Sequence, residues 1–111
     1  MKVHLIKRSS IELFVHENSQ TKRYFLGWLS IIKLADWEIP QDIVATFNSA
    51  DILGQGSERV VFNIGGNKYR MICSYYFGLN CVHLFVKWIG THAAYDKLCK
   101  DGKQFEVDVF K

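Results

Sequence analysis

The chain has 111 residues, 49% of them hydrophobic, which is enough for one core and too little for two. A net charge of +3 permits a nucleic-acid partner without demanding one, and three cysteines with no CxxC pair argue against a disulfide framework or a zinc site. No run approaches the ~18 apolar residues of a membrane span, and the opening residues do not lead into a signal-type core, so cytoplasmic residence with no membrane partner is the expectation.

Val3 to Ile6 is a short β-prone run that should add a strand to a sheet. Ser9-Ser10-Ile11-Glu12 offers a capping box, with Ser9 as N-cap, for a helix from about Ser10 to His16. From Gln20 to Ala35 the apolar residues Tyr24, Phe25, Trp28, Leu29, Ile31, Ile32 and Ala35 recur at helical spacing, which predicts the helix that covers the sheet. Pro40 opens a further short helix to about Phe47, and Ser49 to Ser57 reads as loop.

Glu58 to Asp96 then reads as three antiparallel strands feeding a helix. Gly65-Gly66 suits a two-residue type I′ turn and Gly78-Leu79 a type II′ turn. Two-residue turns set Asn63 opposite Lys68, Val61 opposite Arg70, Arg70 opposite Lys87 and Ser74 opposite His83. Alternation gives one apolar face, with Val60, Phe62, Ile64, Tyr69, Met71, Cys73, Tyr75, Val82, Leu84, Val86 and Trp88, which must be covered. The other face carries Arg59, Asn63, Lys68, Arg70, His83 and Lys87 among Val61, Ile72, Ser74 and Phe85. Its four fixed cations, with no acidic residue on these strands, would concentrate an anion, and a phosphate chain is the obvious ligand; ordinary solvated strand residues are the plain alternative. Thr91 is placed to cap a helix on which His92, Tyr95 and Asp96 share one side, and a helix start is itself an anion site. Gln104 to Lys111 alternates well enough for an edge strand, or else is a flexible tail.

His92, Tyr95, Arg70, Lys68, Lys87 and Asn63 are the groups that metal-free RNA cleavage needs. One group takes the 2′-hydroxyl proton, another protonates the leaving 5′-oxygen, and cations hold the phosphate. Asp96, at i+4 from His92, would orient the imidazole. His83 shares the cationic face but lies near a turn. No signature of nucleotide, zinc-peptide or serine-hydrolase chemistry is present, and no cofactor is implied.

SADILGQGSERVVFNIGGNKYRMI followed by FVKWIGTHAAYDK, with KLADWEIPQDI upstream, resembles the HigB family of type II toxins within the RelE/ParE-like group, over about Val3 to Lys97. The resemblance implies an α+β, RelE-like fold: N-terminal helices packed on one face of a twisted antiparallel sheet, and a short helix after the last long strand. It also implies an mRNA interferase acting on translated messages at the ribosome, restrained by a HigA-like antitoxin with a helix-turn-helix domain. By this resemblance Arg70, following Tyr69, stabilises phosphate, and His92 and Tyr95 complete the catalytic set. Asn63, Lys68, Lys87 and Arg59 are the expected RNA contacts. A ParE-like gyrase poison of the same fold, and a non-catalytic antitoxin-binding module, are the rival readings.

Overall fold

Alternating and helical apolar patterns resolve into a five-stranded sheet with helices on both sides in a computed structural model, which describes residues 1–110. The elements are β1 (Lys2–Ile6), α1 (Arg8–Glu17), a 3₁₀ turn (Ser19–Thr21), α2 (Lys22–Leu34), α3 (Gln41–Thr46), β2 (Asp51–Leu53), β3 (Arg59–Ile64), β4 (Tyr69–Phe77), β5 (Cys81–Thr91) and α4 (His92–Lys100). Strand order is β1-β5-β4-β3-β2. Every pairing is antiparallel except that of β1 with β5, which is parallel. The α+β, RelE-like arrangement expected from the sequence is therefore present.

Phe25, Trp28 and Ile32 recur along one side of α2 and are buried, together with Ile11 of α1, against Val60, Phe62, Ile64, Met71, Cys73, Val82, Leu84 and Val86 of the sheet. Each fully buried side chain of this size contributes about 1.5–3 kcal/mol, so this face is the main source of stability. Burial also pushes the Cys73 thiol well above its ordinary range, which leaves it a core filler. Trp37 closes one end of the core and donates its indole N–H to Thr46 Oγ1 at 2.9 Å.

Several local expectations are corrected. Helix α1 begins at Arg8, after a left-handed bend at Lys7, so Ser9 lies inside the first turn and caps nothing. The stretch expected to be loop contains β2, an edge strand of only three residues that shows no periodicity of its own. Gly65 and Gly66 do adopt positive φ, +67° and +69°, but the connection extends through Asn67 and Lys68 to the pair Ile64–Tyr69. Asn63 thus faces Arg70, not Lys68, and Val61 faces Ile72, not Arg70.

Gly78 lacks the positive φ of a type II′ turn, and its N–H instead meets Cys81 O at 3.0 Å across a longer connection. His83 therefore faces Tyr76 and Ser74 faces Phe85. Both register errors are even, so the faces survive up to Cys73. Between Ile72–Trp88 and Cys73–Val86 the register shifts, leaving Lys87 as the extra residue of a β-bulge. Beyond the bulge parity inverts: Ile89 enters the core, Trp88 moves to the opposite face, and Arg70 pairs with Gly90, not with Lys87.

The second face is not the open cationic surface anticipated. Helix α4 lies over one end of it, and residues 101–110 fold back as turns, not as an edge strand. Val109 N donates to Lys87 O at 3.0 Å, tying the tail to the bulge. No helix among the described residues is long and apolar enough to cross a membrane.

Candidate active site

The site forms where the β3–β4 connection, the end of β5 and the start of α4 meet. Arg70 leaves β4 on the second face, because its neighbours Tyr69 and Met71 point into the core. The residue as a whole is only 9% exposed. Nη2 donates to Asn67 Oδ1 at 2.9 Å and Nη1 to Tyr69 O at 3.3 Å. The five-donor fork is thereby fixed in direction, with N–H groups left over for an anion. Asn63 stands opposite on β3, and Gly90 opposite on β5 contributes no side chain.

Thr91 caps α4 as expected, its Oγ1 accepting from Ala94 N at 3.1 Å. The N–H of His92 donates to Lys68 O at 3.0 Å, which pins the helix start to the β3–β4 connection. The imidazole is 43% exposed, and its Nδ1 lies 3.7 Å from Asp96 Oδ2. That separation is an ion pair when the ring is protonated, and too long for a hydrogen bond.

One turn on, Tyr95 packs against Trp88 with ring centroids 6.1 Å apart. Burial first, then its hydrogen bond with Cys99, holds the phenol well above its ordinary pKa; the Asp51 carboxylate adds to this and Arg70 opposes it. Tyr95 is therefore a persistent O–H donor at neutral pH.

The remaining expected contacts lie elsewhere. Lys68 sits at the rim and turns toward α2, where Nζ donates to Tyr24 OH at 3.4 Å and stands 5.8 Å from the ring centre. Arg59 is buried and donates to Val107 O at 2.6 Å and Gln104 O at 3.3 Å. Lys87 Nζ pairs with Asp108 Oδ2 at 3.0 Å. The structure thus brings together Arg70, Asn63, His92, Tyr95 and Asp96, and engages Arg59 and Lys87 with the tail.

Three residues escaped the sequence reading. Asn67 orients Arg70, and nothing in the sequence singles it out. Asp51 reaches Tyr95 only through the unrecognised strand β2. Helical spacing puts Tyr24 on the packing side of α2, yet hydrogen bonding with Arg23, then with Lys68, lowers its phenol pKa. Only the distant pairing of α2 with the β3–β4 connection reveals that role.

The family profile described as HigB_toxin, the RelE-like toxic component of a toxin-antitoxin system, matches residues 21–98. The chain is 26% identical over 98 residues to an mRNA interferase HigB of Escherichia coli O6:H1, covering 88% of this chain and 93% of that protein. It is 24% identical over 94 residues to the mRNA interferase toxin HigB of Escherichia coli K12, covering 85% and 88%, and similarly to an mRNA interferase HigB of Shigella flexneri.

Proposed function

The chain belongs to the HigB family of RelE-like toxins, and from that premise we propose that it is an endoribonuclease that cuts mRNA without a metal. The observation that carries the reading is the buried, directionally held Arg70 guanidinium at the foot of the helix bearing His92 and Tyr95. Arg70 binds the scissile phosphate and stabilises the charge that builds on its equatorial oxygens. His92 takes the proton of the 2′-hydroxyl as its oxygen attacks phosphorus, or delivers one to the departing 5′-oxygen. Tyr95, held neutral, positions the hydroxyl or a phosphate oxygen by donating a hydrogen bond, and Asp96 steadies the imidazolium. The P–O5′ bond breaks, leaving a 2′,3′-cyclic phosphate and a 5′-hydroxyl.

Asn63, opposite Arg70 on β3, contacts the sugar-phosphate chain beside it. The substrate is translated message on the ribosome, in the cytoplasm, and a HigA-like antitoxin restrains the enzyme. Binding to single-stranded RNA should weaken by roughly 0.7 logarithmic units per phosphate contact for each tenfold rise in salt.

The test is to induce wild type and Arg70→Ala and map message ends, with folding followed by circular dichroism. Wild type should produce cyclic-phosphate ends in the presence of a chelator, and a folded Arg70→Ala protein should lose cleavage by about 10²-fold or more. A folded Arg70→Ala that still cuts, or a wild type that breaks DNA and spares messages, defeats the proposal.

A further inference from the structure

On the same sheet face as Arg70, but beyond the bulge, a row of rings remains uncovered. His83 of β5 lies 5.9 Å from Tyr76 of β4, 6.0 Å from His4 of β1 and 6.4 Å from Phe85, centre to centre. His83 and Phe85 are stacked, at 27°, and Tyr76 is tilted from His83 by 33°. Lys87 Nζ extends the row, 5.6 Å from the Phe85 ring centre. Tyr76 is 59% exposed and His4 is exposed; His83 and Phe85 are half-buried. Helices α1 and α2 cover the opposite face, and α4 lies over the far end of this one, near Trp88.

Charge says what fits there. Strands β1, β4 and β5 contain no aspartate or glutamate, and Lys2 and His4 of β1 share the face with His83 by alternation; at the tail end of the row Lys87 is paired with Asp108. Flat π faces beside the exposed Lys2, with no carboxylate on the strands, suit a polyanion that carries its own planar rings. An acidic protein helix would instead want aliphatic anchors, and the row supplies none except the edge residue Ile6. From Tyr76 to Arg70 is six residues along one strand, roughly 20 Å, with tail residues Asp108 and Val109 anchored on Lys87 between them, so a single nucleic-acid strand that passes over the tail reaches both.

We infer that His83, Tyr76, His4 and Phe85 form a stacking platform for unpaired bases of single-stranded RNA several nucleotides away from the phosphate held by Arg70. The inference rests on the nuclease reading and extends it: the catalytic end is sequence-blind toward the phosphate, and the platform holds the flanking strand. Stacking tolerates every base, because each has a π face.

The test uses the full chain and two RNAs, a dodecamer made uncleavable by 2′-O-methylation and a cleavable tetramer too short to span both ends. By fluorescence anisotropy, Tyr76→Ala and His83→Ala should each weaken dodecamer binding by about 10-fold or more, and Tyr76→Phe and His83→Phe should preserve it. Tetramer cleavage should be unchanged in all four variants. Unchanged dodecamer affinity in folded alanine variants overturns the platform. So does an outcome in which those variants bind RNA normally but fail to form the complex with a co-expressed antitoxin, since the face would then be a protein contact. If free wild type leaves the tetramer whole, cleavage is read instead on translated message, and a wild type that spares messages ends the nuclease reading on its own, whereas ring-dependent dodecamer binding still decides the platform.

Discussion

Arg59 separates a structural cation from a substrate-binding one. Arg59→Met keeps the aliphatic stem but removes the guanidinium that holds the carbonyls of Val107 and Gln104 at 2.6 and 3.3 Å. Hydrogen bonds to a charged donor are worth about 1.5–3 kcal/mol each. The guanidinium's own desolvation, which lowers its pKa here, offsets part of that gain. A net loss of about 2–4 kcal/mol follows, a large share of the ~5–15 kcal/mol that holds a domain of this size. At about 4 °C or more per kcal/mol, Tm should fall by roughly 10–15 °C. The assay pairs thermal and urea denaturation with message cleavage normalised to folded protein. Stability should drop while cleavage per folded molecule changes less than about twofold. Unchanged Tm with cleavage reduced about 10-fold would refute the reasoning and return Arg59 to the RNA.

Asn67→Ala should leave stability within about 1 kcal/mol, because the side chain is exposed, yet lower kcat by about 10-fold through a loosened Arg70; equal kcat in a folded variant would clear Asn67 of any positioning role. In Gly90→Ala a Cβ would lie 2.5 Å from Trp88 Cη2, so the indole must swing and carry Tyr95 with it. Cleavage should fall several-fold, and Trp88 fluorescence should shift; a variant with native emission and activity would show that the ring is not held there. Asp42 accepts from the N–H groups of Glu38 and Ile39 at 2.8 and 3.2 Å, and these bonds depress its pKa. Its contribution is complete above the ordinary carboxylate value of about 3.9 and is lost as pH falls through the depressed folded value. The difference in urea midpoint between wild type and Asp42→Asn should therefore be constant near neutrality and shrink only in strong acid; a difference that grows on acidification would reverse the sign argued here.

The sequence made the sheet legible because alternation survives even register errors. Both turns were drawn too short, yet Val60, Phe62, Met71, Cys73, Val82, Leu84 and Val86 still fell on the buried face, since each error moved the pairing by two residues. Trp88 was misplaced because a bulge leaves no mark on a run of β-branched and aromatic residues. Ile89 is as apolar as Trp88, so nothing in VKWIG says which faces inward. The cationic face was overcounted for another reason. Residues 101–110 look like a charged tail, and only the fold shows that Asp108 and the carbonyls of Gln104 and Val107 have partners on that face. Thr91, His92 and Tyr95 were readable because capping and helical spacing are local rules, whereas Asn67 and Asp51 depend on pairings set by distant strands.

The bulge that misdirected Trp88 is also what assembles the candidate site. With an unbroken ladder, Lys87 and Phe85 would continue the face past Ile72, and Ile89 rather than Trp88 would meet α4. The extra residue turns Trp88 outward to back Tyr95 and brings Gly90 opposite Arg70, where the missing side chain makes room for the Trp88 ring. It also frees Lys87 O from the ladder to accept from Val109 N, so the tail is anchored at the place where the strand departs from regularity. A bulge costs ladder hydrogen bonds and local pairing energy. Here it divides one face into a candidate-site end under α4 and an exposed row of rings beyond the tail, a division that uninterrupted alternation would not produce.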